Sequence, residues 1–466
     1  MAQQRGRRAQ HRSLTPNPMR KLEQFRSNLR TMMRRFVLGQ NELLVTAELL
    51  EKQRSTMDSL PARVEEGIRR TFPDLGDEDV FQALSLLGPL LEFISSPRPE
   101  DEAEQKERNR RFGEKLSKAA NELEQALPAG HAYGCIDAAL QATRSSTKRL
   151  SRVSASLLIS LVAEFEVLVA NLFGELFRYF PDSTISKDKG FSWEYINDAA
   201  TLEDLKEQII EEAVSAAMYS SYGTWLGKFE TFGITLPSIA RAAETVEIFQ
   251  RRHVVVHNGG RVSAVYLDKV KIEPLPRLES VLEVSLEYLT EAADNLFAVG
   301  ARLYTEVVGK IFNEEAERRH LENTLSKDVY DLLARRRFEA LIKVVDAVEI
   351  DQLVDPELKE NFRVNKWLAL KRLGRFEEIR SEVEEWNTGD ESGRLRLAKL
   401  ALLDRIDDGL QLIGKIRGTK DLSIESWATW PLLEELRRAE NQRTLEQGGV
   451  QDTLDGVDDL LERELP

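Results

Sequence analysis

Apolar residues recur at helical spacing along most of the chain, over residues 36–50, 64–72 and 80–94 in its first fifth. Ser95, Ser96, Pro97, Arg98 and Pro99, followed by an acidic run, read as a linker. A charged helix is expected over 104–127, closed by a Pro128-Ala129-Gly130 turn. Beyond Thr147 the pattern changes to long apolar helices over 157–180, 202–219 and 239–257 and over 278–312, with an aromatic patch at 225–232. Turn signals at Pro181-Asp182, Gly233 to Pro237, Asn258-Gly259-Gly260 and Pro274 to Pro276 separate them. Strand and helix do not alternate, which argues against a nucleotide-binding α/β fold. The Val254-Val255-Val256 run is the one stretch that could be a strand, and three residues do not decide it. The expected class is all-α.

The last third carries an internal repetition. Arg337-Phe338-Glu339 and Arg375-Phe376-Glu377 each stand at the head of an apolar-periodic stretch, and Arg405-Ile406-Asp407 opens a third. Across roughly residues 330–416 this resembles tetratricopeptide-type helical hairpins, whose period is about 34 residues. Stacked hairpins of that kind present a concave surface to a protein partner, with a plain helical bundle as the alternative. The expected organisation is a basic tail (1–18), an N-terminal helical region (19–145), a central helical bundle (146–315), a helical-repeat module (320–450) and an acidic tail (451–466).

Composition narrows this further. At 466 residues, 42% hydrophobic and 31% charged, the chain suits two or three compact units rich in soluble helices. The single cysteine, Cys135, excludes an intramolecular disulfide and a thiolate zinc site, and suits a reducing, cytoplasmic setting. The apolar run at 157–173 is interrupted by Glu164 and Glu166, so no membrane association is expected. The Arg-rich start lacks the apolar core of a secretory signal. The net charge of −14 is uneven: residues 1–35 hold ten Lys or Arg against one Glu. An acidic body with a basic head argues against broad nucleic-acid binding and for a local RNA site.

The candidate chemistry lies in Arg251-Arg252-His253-Val254-Val255-Val256-His257-Asn258-Gly259-Gly260, at the end of a long amphipathic helix. Arg-x4-His alone is a weak signal in a chain this rich in arginine. Its residue types nevertheless suit metal-independent RNA cleavage. Histidine titrates near neutrality and can move a proton, while arginine stays charged and matches phosphate with two parallel donors. His257 is the candidate acid–base residue and Arg252 the candidate phosphate clamp. Dependence on the 2′-hydroxyl would restrict the substrate to RNA.

The same string resembles the HEPN superfamily, in particular its RiboL-PSP-HEPN-like branch: an Arg, a polar residue, a short apolar run and a His-Asn-Gly-Gly ending. The helix over 160–180, with Glu164-Phe165-Glu166, resembles that branch's first helix, so the likeness spans roughly residues 147–312. It implies an antiparallel helical bundle and a metal-independent endoribonuclease without cofactor, of the kind found in toxin–antitoxin and antiphage systems. It also implies a homodimer in which two motifs meet. His253, Asn258 and Glu166 are the supporting candidates: His253 as the polar residue after the Arg, Asn258 at the helix end, Glu166 orienting Arg252. The alternative is a catalytically silent HEPN adaptor, RNA binder or scaffold.

Two further patterns bear on the site. His253 and His257 have the i, i+4 spacing of paired metal ligands, but a third ligand would have to be a carboxylate such as Glu244 or Glu247, and no Glu stands between the histidines as in metalloproteases. No metal is expected. Trp225, Phe229 and Phe232 read as core or interface aromatics, and His11, His131 and His320 have no neighbours in sequence that suggest chemistry.

Overall fold

The computed structural model describes residues 18–446 apart from 58, 97–100, 145–148, 182–189 and 390–391. Most of the basic tail with His11, most of the Ser95–Pro99 linker and the acidic tail lie outside the described residues. The fold is all-α: among the described residues, β pairing is confined to isolated bridges such as Arg261 with Val281. The first helices are α1 (Pro18–Met57), α2 (Leu60–Thr71), α3 (Asp77–Ser95), α4 (Glu102–Ala126) and α5 (His131–Arg144). Next come α6 (Arg149–Tyr179), α7 (Trp193–Asn197), α8 (Leu202–Met218), α9 (Tyr222–Thr231), α10 (Ala243–His257), α11 (Ala264–Lys269) and α12 (Leu286–Ile311). The remainder are α13 (Glu315–Glu322), α14 (Thr324–Ala334), α15 (Phe338–Val348), α16 (Pro356–Arg372), α17 (Arg380–Glu385), α18 (Gly393–Leu402), α19 (Ile406–Ile416), α20 (Ile424–Thr429) and α21 (Glu434–Glu446). Contacts divide the chain into two units, one of residues 39–164 and 247–292, the other of 1–38, 165–246 and 293–466.

In the unit of residues 39–164 and 247–292, helices α2 to α5 bury one face each around Val64, Ile68, Leu87, Leu90, Leu123 and Cys135. The N-terminus of α2 is capped by Ser59, whose hydroxyl accepts from the Ala62 amide, and Pro61 occupies the first turn, where a missing N–H costs nothing. Small residues let α2 and α5 approach closely: a Cβ on Gly67 would lie 3.1 Å from that of Ala138. Burial pushes the Cys135 thiol up to about 11, so it stays protonated and serves as an apolar packing group. His131 packs its ring on Phe72, 4.5 Å between centroids. A second, smaller cluster of Val254, Val262, Tyr266 and Val270 lies under the end of α10.

In the other unit the core is aromatic. Phe173 stacks on Phe229 at 4.3 Å and lies beside Phe177, while Phe36 meets Phe165 and Phe297 edge-on. Trp225 and Phe229 are buried, and the Trp225 indole N–H donates to the Ala217 carbonyl at 3.0 Å. These aromatics are core, which satisfies the indole and leaves no stacking face for a base. The guanidinium of Arg302, in α12, is 1% exposed and donates to the carbonyls of Thr235 and Val348 and to Gln352. Ser151–Tyr179 within α6 is long and apolar enough to cross a membrane; 33% of its most apolar window is buried, and Phe165, Leu172 and Phe177 are among the buried residues of the helix.

The three Arg-led triplets occupy one recurring turn. Helices α14, α16 and α18 each end in a left-handed residue, namely Arg336, Gly374 and Asp404, immediately before Arg337, Arg375 and Arg405. In each case the Arg amide bonds the carbonyl of a leucine five residues back (Leu332, Leu370, Leu400) at 2.9 Å, satisfying a terminal carbonyl of the helix. The chain then reverses into α15, into a 3-10 turn leading to α17, and into α19. The repetition is therefore one of backbone geometry as well as of residue type. Arg337 pairs with Asp294, whereas Arg375 and Arg405 pair with Glu378 and Asp408 three residues on.

Candidate functional site

The Arg-His string forms the last two turns of α10, and Val254-Val255-Val256 is helical. The apolar face of those turns buries Val254, while His253, Val256, His257 and Asn258 are exposed and Arg252 is half-buried. The helix stops because Gly259 and Gly260 adopt φ of +58° and +81°, a conformation that L side chains rarely take. The amides of Asn258 and Gly260 both bond the Val254 carbonyl. The chain beyond is then fastened: Val262 donates to Ser280, Glu279 to Val262 and Leu282 to Gly260. Exposed chemistry thus sits on a rigid helix end.

One turn earlier lies a polar centre that sequence reasoning did not place. Glu247 is 2% exposed, and its carboxylate accepts from the Tyr266 hydroxyl at 2.6 Å, the Tyr288 hydroxyl at 2.6 Å and Arg251 Nε at 2.7 Å. Arg251 lies over the Tyr288 ring, 3.8 Å from its centroid, and also donates to the Glu283 carbonyl. Burial, reinforced by the Glu247 charge, drives both tyrosine hydroxyls well above the ordinary range, so they remain donors at any physiological pH. The i, i+4 spacing of Glu247 and Arg251 was a visible signal. The tyrosines, 19 and 41 residues away, were not.

The structure brings His253 and His257 together, with ring centroids 4.6 Å apart. Desolvation, together with the positive charges of His257, Lys269 and Arg252, holds His253 below the ordinary imidazole range. His253 is thus neutral further into acid than a free histidine. Glu247, a suggested third metal ligand, is instead committed to Arg251 and the two tyrosines. Among the described residues, no three His, Cys, Asp or Glu side chains gather as metal ligands. Arg252 and His257 are not brought onto one face, because five residues of regular helix turn by about 500° and leave them about 140° apart. Glu166 sits half-buried on α6. His320 faces Arg30, with its Nε2 at 3.0 Å.

What this arrangement offers chemically is an accessible imidazole pair and a guanidinium on a helix end held by hydrogen bonds. No family model, curated protein or solved structure matches the chain.

Proposed function

We propose that the chain is a metal-independent endoribonuclease of HEPN type, acting as a homodimer on RNA. The observation that carries the reading is the exposed His253–His257 pair at a helix end that also carries Arg252 and is closed by two left-handed glycines. In this reading the RNA 2′-oxygen attacks the adjacent phosphorus, the bond to the 5′-oxygen breaks, and a 2′,3′-cyclic phosphate and a 5′-hydroxyl result. Arg252 holds the phosphate and the charge that builds on it, and His257 moves a proton at the 2′- or the 5′-oxygen. The second proton transfer falls to the opposing motif of the partner chain. His253, held neutral, accepts or relays a proton beside His257, and Asn258 with the glycines lets the backbone approach the strand. A toxin–antitoxin or antiphage setting in the cytoplasm, and a protein partner on the α14–α19 hairpins, belong to the same reading.

The test is cleavage of end-labelled RNA by purified protein in EDTA. His257→Ala is expected to lose about 10² to 10⁴-fold in rate while RNA still binds. Arg252→Ala is expected to lose rate and binding together. Cleavage that survives His257→Ala, or that stops with chelator, overturns the mechanism. Binding without any cleavage by the wild type selects the silent adaptor instead.

A further inference from the structure

A second site lies far along the chain from the α10 motif, in the unit that contains α8. Between α1, α6 and the start of α8 is a cavity of about 510 Å³, a size that takes a small organic ligand. Its walls are largely apolar, with Phe25, Phe177 and Ile210 among them. Set into this lining is Glu175, only 2% exposed. One of its oxygens is fully used, accepting from Asn28 at 2.9 Å and from Arg178 at 2.8 Å. The other, Oε2, is buried and has no hydrogen-bond partner.

A buried carboxylate oxygen left without a donor costs more free energy than most single contacts return, so it needs a reason. Among the described residues nothing in the local packing donates to Oε2. Arg178 divides itself between Glu175 and Glu207, and Lys206 pairs with Glu203. Among the described lining residues, three carboxylates (Glu175, Glu203, Glu207) stand against two cations (Arg178, Lys206). Burial already strains the charged form of Glu175, raising its pKa despite Asn28 and Arg178. What fits is a group that donates a hydrogen bond, carries one positive charge and is attached to an apolar body.

We propose that this cavity binds a small organic ammonium compound, with its N–H group turned to the Glu175 carboxylate and its apolar part against Phe25, Phe177 and Ile210. The site is independent of the RNA reading. It shares no residue with the α10 motif, and its occupancy can be measured without any activity.

The experiment is ligand-observed NMR and calorimetry on the full chain, with 2-phenylethylammonium as probe, neutral 2-phenylethanol as its uncharged isostere and 3-phenylpropanoate as the anionic control. Saturable binding of the ammonium is expected, at least tenfold tighter than the alcohol, with no binding of the acid. Glu175→Gln keeps the shape and is expected to weaken the ammonium at least tenfold while leaving the alcohol unchanged. Ile210→Trp fills the apolar wall and is expected to remove both ligands, a second route should the first variant not fold. Equal binding of ammonium and alcohol, undiminished binding in Glu175→Gln, or no binding of the ammonium at all overturns the proposal.

Discussion

Glu247→Gln probes the buried centre behind the α10 motif most directly. The amide keeps the volume of the carboxylate but not its charge. Arg251, whose side chain is 13% exposed, then loses its ionic partner, and the two tyrosine hydroxyls compete for one weaker acceptor. Breaking a buried ion pair by removing one partner costs about 3–5 kcal/mol. Arg251 keeps the Glu283 carbonyl and the Tyr288 ring, so the lower end, about 3 kcal/mol, is expected here. Tyr266→Phe and Tyr288→Phe each remove one hydrogen bond to a charged group, about 1.5 kcal/mol apiece. Because they share one carboxylate, the double variant is expected to depart from additivity by at least about 0.5 kcal/mol. Urea denaturation followed by far-UV circular dichroism gives these values. RNA cleavage measured well below the transition separates positioning from stability, since Tyr288→Phe should lower rate more than it loosens RNA. A Glu247→Gln protein within about 0.5 kcal/mol of wild type, the range of an ordinary surface change, would refute the reasoning.

The other expectations concern pH and turns. Asp328 is 7% exposed with one oxygen unpartnered, and burial, aided by Asp331, pushes its carboxyl up to about 7. The unfolded chain releases this proton near pH 4 and the folded chain near 7, so stability falls as pH rises through that window and stays reduced above it, by up to about 4 kcal/mol. Asp328→Asn should therefore raise the melting temperature at pH 8 and much less at pH 4; an equal gain at both would contradict this. In the repeated turn, Gly374→Ala should destabilise by about 1 kcal/mol because φ is +76°, whereas Asp404→Gly, at φ +55°, should be neutral or slightly stabilising. Urea midpoints that move the opposite way would show that the turn is not left-handed.

Periodicity was enough to find most helices, because each buries a stripe of side chains at the 3.6-residue repeat. It misjudged places where a helix and its neighbour share an apolar texture. The stretch expected as one helix over 278–312 begins only at Leu286: residues 279–282 run alongside 260–262, with Glu279 left-handed. Phe36 to Leu50 was read as a helix, yet it is part of a 40-residue one whose earlier turns carry Leu22, Phe25, Leu29, Met32 and Met33 at the same helical spacing among basic residues. At the site, the exposed end of α10 was legible because Asn-Gly-Gly is a local stop signal. The Glu247 centre was not, since its value depends on two tyrosines that only the fold brings near. Glu175 was hidden for the same reason: in sequence it is one more glutamate on a helix, and its burial depends on α1 and α8.

Geometry makes the proposed chemistry depend on a second chain. Five residues along a regular helix advance about 7.5 Å and turn by about 500°. Arg252 and His257 thus leave the axis on different sides, while acid–base groups must come within about 3 Å of the atoms whose protons they move. One α10 can offer a phosphate its guanidinium or its imidazole, but two α10 ends facing each other across a two-fold axis offer both to the same phosphate. Val256 stands on the Arg252 side of the helix, one turn on, and is 46% exposed, an apolar contact for such a facing pair. If pairing is obligatory, cleavage per chain should fall on dilution below the dimer dissociation constant. Val256→Asp, which places like charges against each other across the axis, should move that fall to higher concentration by at least tenfold. Mixing inactive His257→Ala with inactive Arg252→Ala chains brings one Arg252 and one His257 from different chains to the same phosphate, so cleavage above that of either variant alone is expected, well below wild type because the second His257 is missing. A rate per chain that is constant on dilution, with no rescue on mixing, would mean that a single α10 does the chemistry and that the two-chain mechanism is wrong.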